Sequence, residues 1–336
     1  MRMRSILLAL PLAGSLLATP LAHDDVRLAW KFAKGDVLRY RNSTKTEQTI
    51  SGPAEVTNTT EMQQLIEETV RSVDEDGSAT LHCEWKAVRM HVSSSMGSEI
   101  DYDSTDAAST PPDALKGVAK LVGLAFEMRM RPTGEITELE GMDEALAKLF
   151  ESDAPDVGAM RQMMSEMLSE ETMKRSLEAA VLPSHALKEG EEWKRAIAIP
   201  LGPLGKLDAA YVYRYEGLAT APAPRTAKIG LEFTMKAATG QPDFSAIPGS
   251  ELLDIALDIG DSTGKGTLEF DVDAGRLARS SVETEIELTM EMKLKEAPEG
   301  ADMPPMEMHI EMAMRNDMRL LGPDEPAFEP RPKSGK

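Results

Sequence analysis

Five of the chain's 22 methionines stand in one short stretch, MPPMEMHIEMAM at residues 303–314. Thioether sulfurs are soft donors and favour Cu(I), so a dense methionine run raises the question of a copper site. Such a site needs about three thioethers converging on one point, often with a His or Cys. The spacing argues another way. Met306, Met308, Ile310, Met312 and Met314 fall at every second residue, and Glu307, His309, Glu311, Ala313 and Arg315 alternate with them. That period puts the methionines on one face of a β-strand and His309 on the other. Neighbouring same-face residues stand about 6–7 Å apart, so thioethers in a row converge only with help from a partner strand.

The same pattern recurs at Leu288, Met290, Met292 and Leu294, and at Phe126, Met128 and Met130. Methionine and leucine alternate freely in these stripes. Metal ligation does not explain that exchange, whereas apolar packing does, because Met fills irregular gaps in place of Leu. Met128, Met290, Met292, Met308 and Met312 are therefore the expected lining of an apolar sheet face, on which an acyl chain or another apolar molecule would sit.

Other chemistry is sparse. GDSTGKG at 260–266 falls short of a phosphate loop: three residues separate its glycines, and Gly266 follows the lysine where Ser or Thr is needed. HExxH, GxSxG and CxxC motifs are absent. DYDSTD at 101–106 lacks the glycine and distal glutamate of a calcium hand loop. The five histidines are scattered, and no carboxylate pair stands out as acid and base. The expectation is a non-enzymatic protein with no catalytic residues, no cofactor and no metal. Cys83, the only cysteine, excludes an internal disulfide and reads as a small buried hydrophobe in the strand ATLHCEWKAV.

The elements that hold these stripes follow from punctuation. MRMRSILLALPLAGSLLATPLA reads as a secretory signal peptide over residues 1–22, with a positive start and an apolar centre too short and too broken for a membrane span. Cleavage near Ala22 leaves 35 basic against 57 acidic residues, 35 − 57 = −22. Such a charge repels nucleic acid and anionic membranes. Residues 23–141 form an N-terminal β-rich half that opens with a short strand VRLAWKF at 26–32. Long strands flank the turns at 51–55 and 74–77, and a hairpin turns at PTG. PPDALKGVAKLVGLA at 111–125 has helical spacing. Residues 142–184 form a helical block with an apolar stripe at Met160, Met163, Met164, Met167 and Leu168. Residues 185–321 return to β, and 322–336 read as a disordered tail. The expected class is α+β, predominantly antiparallel β, with long curved sheets in two β-rich halves around a central helical block.

Two pairs of segments resemble one another in order: KFAKGDVLRYRN with HALKEGEEWKRAI, and FEMRMRPTGEITELE with LEFDVDAGRLARSSVE. The layout WKFxxGDxxRY near the mature start, LP…GxxW at 182–193 and GxGxxxFDxxxGRL at 264–277 resembles a family of exported bacterial proteins of unknown function. That resemblance implies export and a β-rich fold and carries over no active site. Long curved sheets with a helical cover are also similar to lipoprotein-carrier folds, at the level of fold alone. Three functions are in play. The first is apolar-ligand binding on the Met-lined face. The second is an envelope structural or interaction module with a protein partner and no small ligand. The third is Met-dependent copper binding.

Overall fold

The computed structural model describes residues 25–52, 54–149, 170, 173–174, 181–200, 206–219, 224–237, 252–260, 262–295 and 306–330. The expected signal peptide and most of the expected helical block, including its methionine stripe, lie outside the described residues.

Period-2 patterning produces thirteen strands: β1 (Val37–Ser51), β2 (Val56–Val73), β3 (Ala79–Ser94), β4 (Glu99–Asp103), β5 (Ala125–Met130), β6 (Ile136–Glu140), β7 (Glu192–Pro200), β8 (Lys206–Ala219), β9 (Thr226–Ala237), β10 (Leu253–Ile259), β11 (Ser262–Asp271), β12 (Arg276–Leu294) and β13 (Met306–Leu320). All pair antiparallel in one sheet of order β6-β5-β3-β2-β1-β13-β12-β11-β9-β8-β7, with β4 on β3 and β10 on β12. The fold is thus β-dominated rather than a balanced α+β arrangement. Its described helices are short: a 3-10 turn at Asp113–Leu115, α1 (Lys116–Ala119) and α2 (Met142–Leu149). The helix expected over 111–125 forms only near its start, where Leu115 is buried, and Val122 is 39% exposed.

The sheet curls on itself, and a strap at residues 25–32 closes one end. VRLAWKF was expected as a strand, but its hydrogen bonds go elsewhere. Val26 pairs with Leu187 ahead of β7, Trp30 N donates to Pro132 O in the β5–β6 turn, and Lys31 N donates to Gly275 O in the β11–β12 turn. Leu182 N also donates to Thr133 O. Nine ladder steps separate β5 from β7, about 43 Å at ~4.8 Å each if the sheet were flat. Val26 to Trp30 spans at most about 14 Å of extended chain. The edges must therefore approach one another at this end, and the face that meets the strap is the concave one.

Trp30 marks that face. It packs edge-on to Phe270 at 5.6 Å and parallel to Phe32 at 6.2 Å, and it touches the two largest buried clusters. One cluster holds Tyr213, Tyr215, Ile229, Leu231, Phe233 and Phe270 from β8, β9 and β11. The other holds Val70, Leu81, Cys83, Met128, Ile136 and Leu139 from β2, β3, β5 and β6. Cys83 is buried, as its apolar strand implied.

Among the described residues the outer face has one buried patch. Leu65 and Ala87 are covered by Leu321 and Phe328, the latter 5% exposed. The tail expected to be disordered from residue 322 is thus packed as far as the described residues run. Arg39 Nη1 donates to the carbonyls of Gly322, Pro323 and Glu325, and the Arg89 guanidinium lies 4.7 Å over the Phe328 ring. GPDEPAFEP looked polar because its single anchor, Phe328, is isolated in sequence.

Candidate functional site: the concave face

Strand registers assign every paired side chain to one face. On the concave side β1 presents Asn42, Thr44, Thr46, Gln48 and Ile50, and β13 answers with Met318, Asn316, Met314, Met312 and Ile310. β12 adds Ile286, Leu288, Met290 and Met292, opposite Met312, Ile310, Met308 and Met306. β10 continues the surface with Ile255, Leu257 and Ile259. The charged partners of these residues, such as Glu287, Glu291, Lys293, Glu311 and Arg315, all point outward. Within the paired registers only Glu68 and Arg195 place charge on the concave side.

Coverage of this face is uneven. On β1 the buried concave residues stop at Tyr40, and Asn42 through Ile50 are half-buried. No residue of β13 is fully buried. Met290, Met292, Met308 and Met312 therefore sit together, half-buried, on two adjacent strands. Met128 does not join them. It is 8% exposed and packed with Leu81 and Leu139 near the strap, because β5 lies four ladder steps from β13. At the strapped end the stripe of β5 is packed core. Away from the strap, the segment at residues 115–121 covers Met62, Val88 and Met90 on β2 and β3, while Met290, Met292, Met308 and Met312 on β12 and β13 stay half-buried.

The polar part of the face is also specific. Asn316 Nδ2 donates to Asn42 Oδ1 and Thr44 Oγ1, each at 2.9 Å, forming an uncharged amide and hydroxyl ladder below the Met rows. Glu68 stands opposite Leu38 and Cys83. Loss of hydration raises its carboxyl from 4.5 to about 7. The same desolvation, with the Glu68 and Glu127 charges nearby, pushes the Cys83 thiol well up. Tyr40, also raised chiefly by burial, donates from its hydroxyl to Leu277 O at 3.2 Å.

Aromatic residues crowd the β7–β9 side. Trp193 stacks on Tyr213 at 5.1 Å, and Tyr211 lies 5.2 Å from Phe233. The Phe233 ring occupies the space over Gly264, where any Cβ would overlap it. Residues 262–266 of the GDSTGKG stretch are thus part of β11, with Gly264 making room for an aromatic ring rather than for phosphate. Arg195, two residues from Trp193, faces Tyr211 across the ladder. Sequence reasoning passed over Glu68 and Arg195, although both were visible as the charged member of an apolar stripe: Ile66, Glu68, Val70 and Trp193, Arg195, Ile197.

The outer face carries a groove of about 970 Å³ between the β3–β4 hairpin and the tail, lined by Lys45, Arg89, His91, Asp101, Arg315 and Glu329 among others. His91 Nδ1 lies 3.1 Å from Asp101 Oδ1 and 3.9 Å from Glu99 Oε1. One imidazole and two carboxylates form a donor set a divalent cation would accept, and they were missed because the hairpin joins residues ten apart. The three side chains sit on neighbouring strands as ordinary cross-strand ion pairs and are accessible. His309 contacts Thr289 Oγ1 at 3.2 Å on the outer face, as its parity required, and does not approach the thioethers.

Fold and face together define a curled antiparallel sheet protein with a nearly charge-free concave surface. Residues 76–237, just under half of the chain, match the model of a family of unknown function (DUF6263), so the expected resemblance to such a family is met. No curated protein matches the sequence. Among solved structures the chain is similar to "Lipid-protein interactions in lipovitellin", at 11% identity and a TM-score of 0.41, covering 89% of this chain. The chain spans only 26% of that lipovitellin chain. DynF from the dynemicin pathway of Micromonospora chersina is similar at 10% identity, covering 96% of this chain and 98% of its own, with a TM-score of 0.20. The COG4313 outer membrane channel from Pseudomonas putida F1 follows at 8%, 90% and 100%, with a TM-score of 0.19. No described helix is long and apolar enough to cross a membrane.

Proposed function

We propose that this is an exported, non-enzymatic protein that holds an apolar molecule, an acyl chain being the best candidate, against the concave face of its sheet. One observation carries the reading. The Met, Leu and Ile rows of β10, β12 and β13 lie on the concave, almost uncharged side, and they remain half-buried instead of packed. Contiguous apolar surface of this kind marks a binding surface more often than an idle one. Thioethers suit it, since flexible, polarizable side chains adapt to an oily ligand.

The test is native mass spectrometry of protein purified from its own host, followed by titration with a fluorescent fatty acid. A copurified lipid, and binding that is lost in Met308→Glu and Met312→Glu but kept in the Leu variants, supports the reading. Absence of fatty-acid binding in the wild type refutes it. Cu(I) binding that disappears in the Leu variants, with no lipid bound, would select the copper alternative.

A further inference from the structure

We propose that Arg195 and Trp193 form the head-group site of a single-chain amphiphile with an anionic head, a long-chain fatty acid, whose tail runs from β7 along the concave face toward β13. The inference rests on the apolar-ligand reading and adds the ligand's polar end.

The argument begins with hydrogen-bond accounting. A buried donor without an acceptor costs about 1–3 kcal/mol, and natural folds keep few of them. Trp193 Nε1 and Arg195 Nε are both buried and have no hydrogen-bond partner among the described residues. They are consecutive concave-facing residues of one strand, about 6–7 Å apart at the backbone. Both are donors and neither can accept, so the group that satisfies them is an acceptor. Arg195 makes one long bond, Nη2 to Val181 O at 3.4 Å. No ion pair among the described residues includes it, whereas Arg41, Arg89, Arg225 and Arg315 each reach a carboxylate. Its Nε is buried on the almost uncharged concave face although the chain, of net charge −20, had acidic partners in plenty.

The surroundings suit an amphiphile rather than a small anion. Arg195 faces Tyr211 across the ladder, Tyr211 faces Phe233, and Ile197, Ala209 and Met235 make the next row. Five ladder steps from β7 to β13, about 24 Å along the sheet, lead to the thioether rows. A planar carboxylate meets the forked guanidinium geometry, and the low-dielectric aromatic wall strengthens that bond.

The experiment compares palmitate with hexadecanol, equal chains with charged and neutral heads, by competition against a fluorescent fatty acid. The wild type is expected to prefer palmitate about 10- to 100-fold, the range of a charge-assisted hydrogen bond. Arg195→Gln is expected to abolish that preference, palmitate falling to the affinity of hexadecanol while hexadecanol still binds. Trp193→Phe keeps the ring against Tyr213 and removes only the N–H. It is expected to weaken palmitate several-fold while hexadecanol still binds, which guards against a folding defect in the arginine variant. A palmitate preference that survives in Arg195→Gln overturns the head-group site while leaving the apolar reading standing. Failure of the wild type to bind either chain overturns both.

Discussion

Replacing Glu68 by Gln should stabilise the protein in neutral and alkaline solution and leave it unchanged in acid. Glu68 sits on the concave face opposite Leu38 and Cys83, both buried, and no described cation pairs with it. Loss of hydration raises its carboxyl from 4.5 to about 7. The sign follows from linkage. The folded state holds the Glu68 proton more tightly than the unfolded chain, so unfolding releases it between about pH 4.5 and 7. Stability therefore falls as pH rises through that window and stays low above it. At about 1.4 kcal/mol per tenfold change in proton affinity, the full displacement is worth about 3 kcal/mol. Glu68 retains some accessible surface, so about 1–3 kcal/mol is the expected gain for Glu68→Gln at pH 8. Gln has the shape of the protonated acid, so the two proteins should coincide at pH 4. Urea unfolding at half-unit steps from pH 4 to 8 measures it. The difference between variant and wild type isolates one group from the many surface carboxylates. Parallel curves for the two proteins across that range would refute the assignment of Glu68 to a dehydrated interior.

Two further outcomes follow. Phe328→Ala should cost about 3 kcal/mol in urea unfolding and speed proteolysis after residue 321, since Phe328 is the buried anchor of a segment otherwise held by polar contacts. Cys83, 1% exposed with its thiol pushed up, should resist iodoacetamide at pH 8 in the folded protein and react fully in urea; fast labelling in native buffer would contradict its placement.

Much of the fold could be read from period-2 alternation, because a strand with one apolar and one polar face announces itself locally. β2, β3, β12 and β13 lie where their stripes put them, and Cys83 is buried as its strand implied. Even the paired resemblances have a place. Gly35 and Gly190, both at positive φ, precede β1 and β7, and Gly134 and Gly275 sit in the β5–β6 and β11–β12 turns. What sequence could not supply was anything set by distant backbone. The strap looked like a strand because VRLAWKF is apolar, yet its partners are one bridge residue, Leu187, and two separate turns. The tail looked idle because one phenylalanine is too little signal. Met128 and Met308 looked equivalent because a stripe reveals which face a residue takes and nothing of what lies opposite.

Strand length is the last piece. Strands usually run about 5–6 residues, whereas β1, β2, β12 and β13 have 15, 18, 19 and 15. The strap and the two large clusters occupy the rows nearest one end, and on β1 full burial ends at Tyr40. A sheet built only to enclose that core would stop a few residues later. Instead the central strands continue for several more rows, keep charge off their concave side, and fill it with thioethers, aliphatics and a hydrogen-bonded Asn–Thr ladder. Outside the patch that the segment at residues 115–121 covers at Met62, Val88 and Met90, those rows bury little within the described residues, so fold stability alone gives them little reason to be apolar. An apolar molecule lying against them supplies that reason, and it would gain about 25 cal/mol for each square ångström it removes from water.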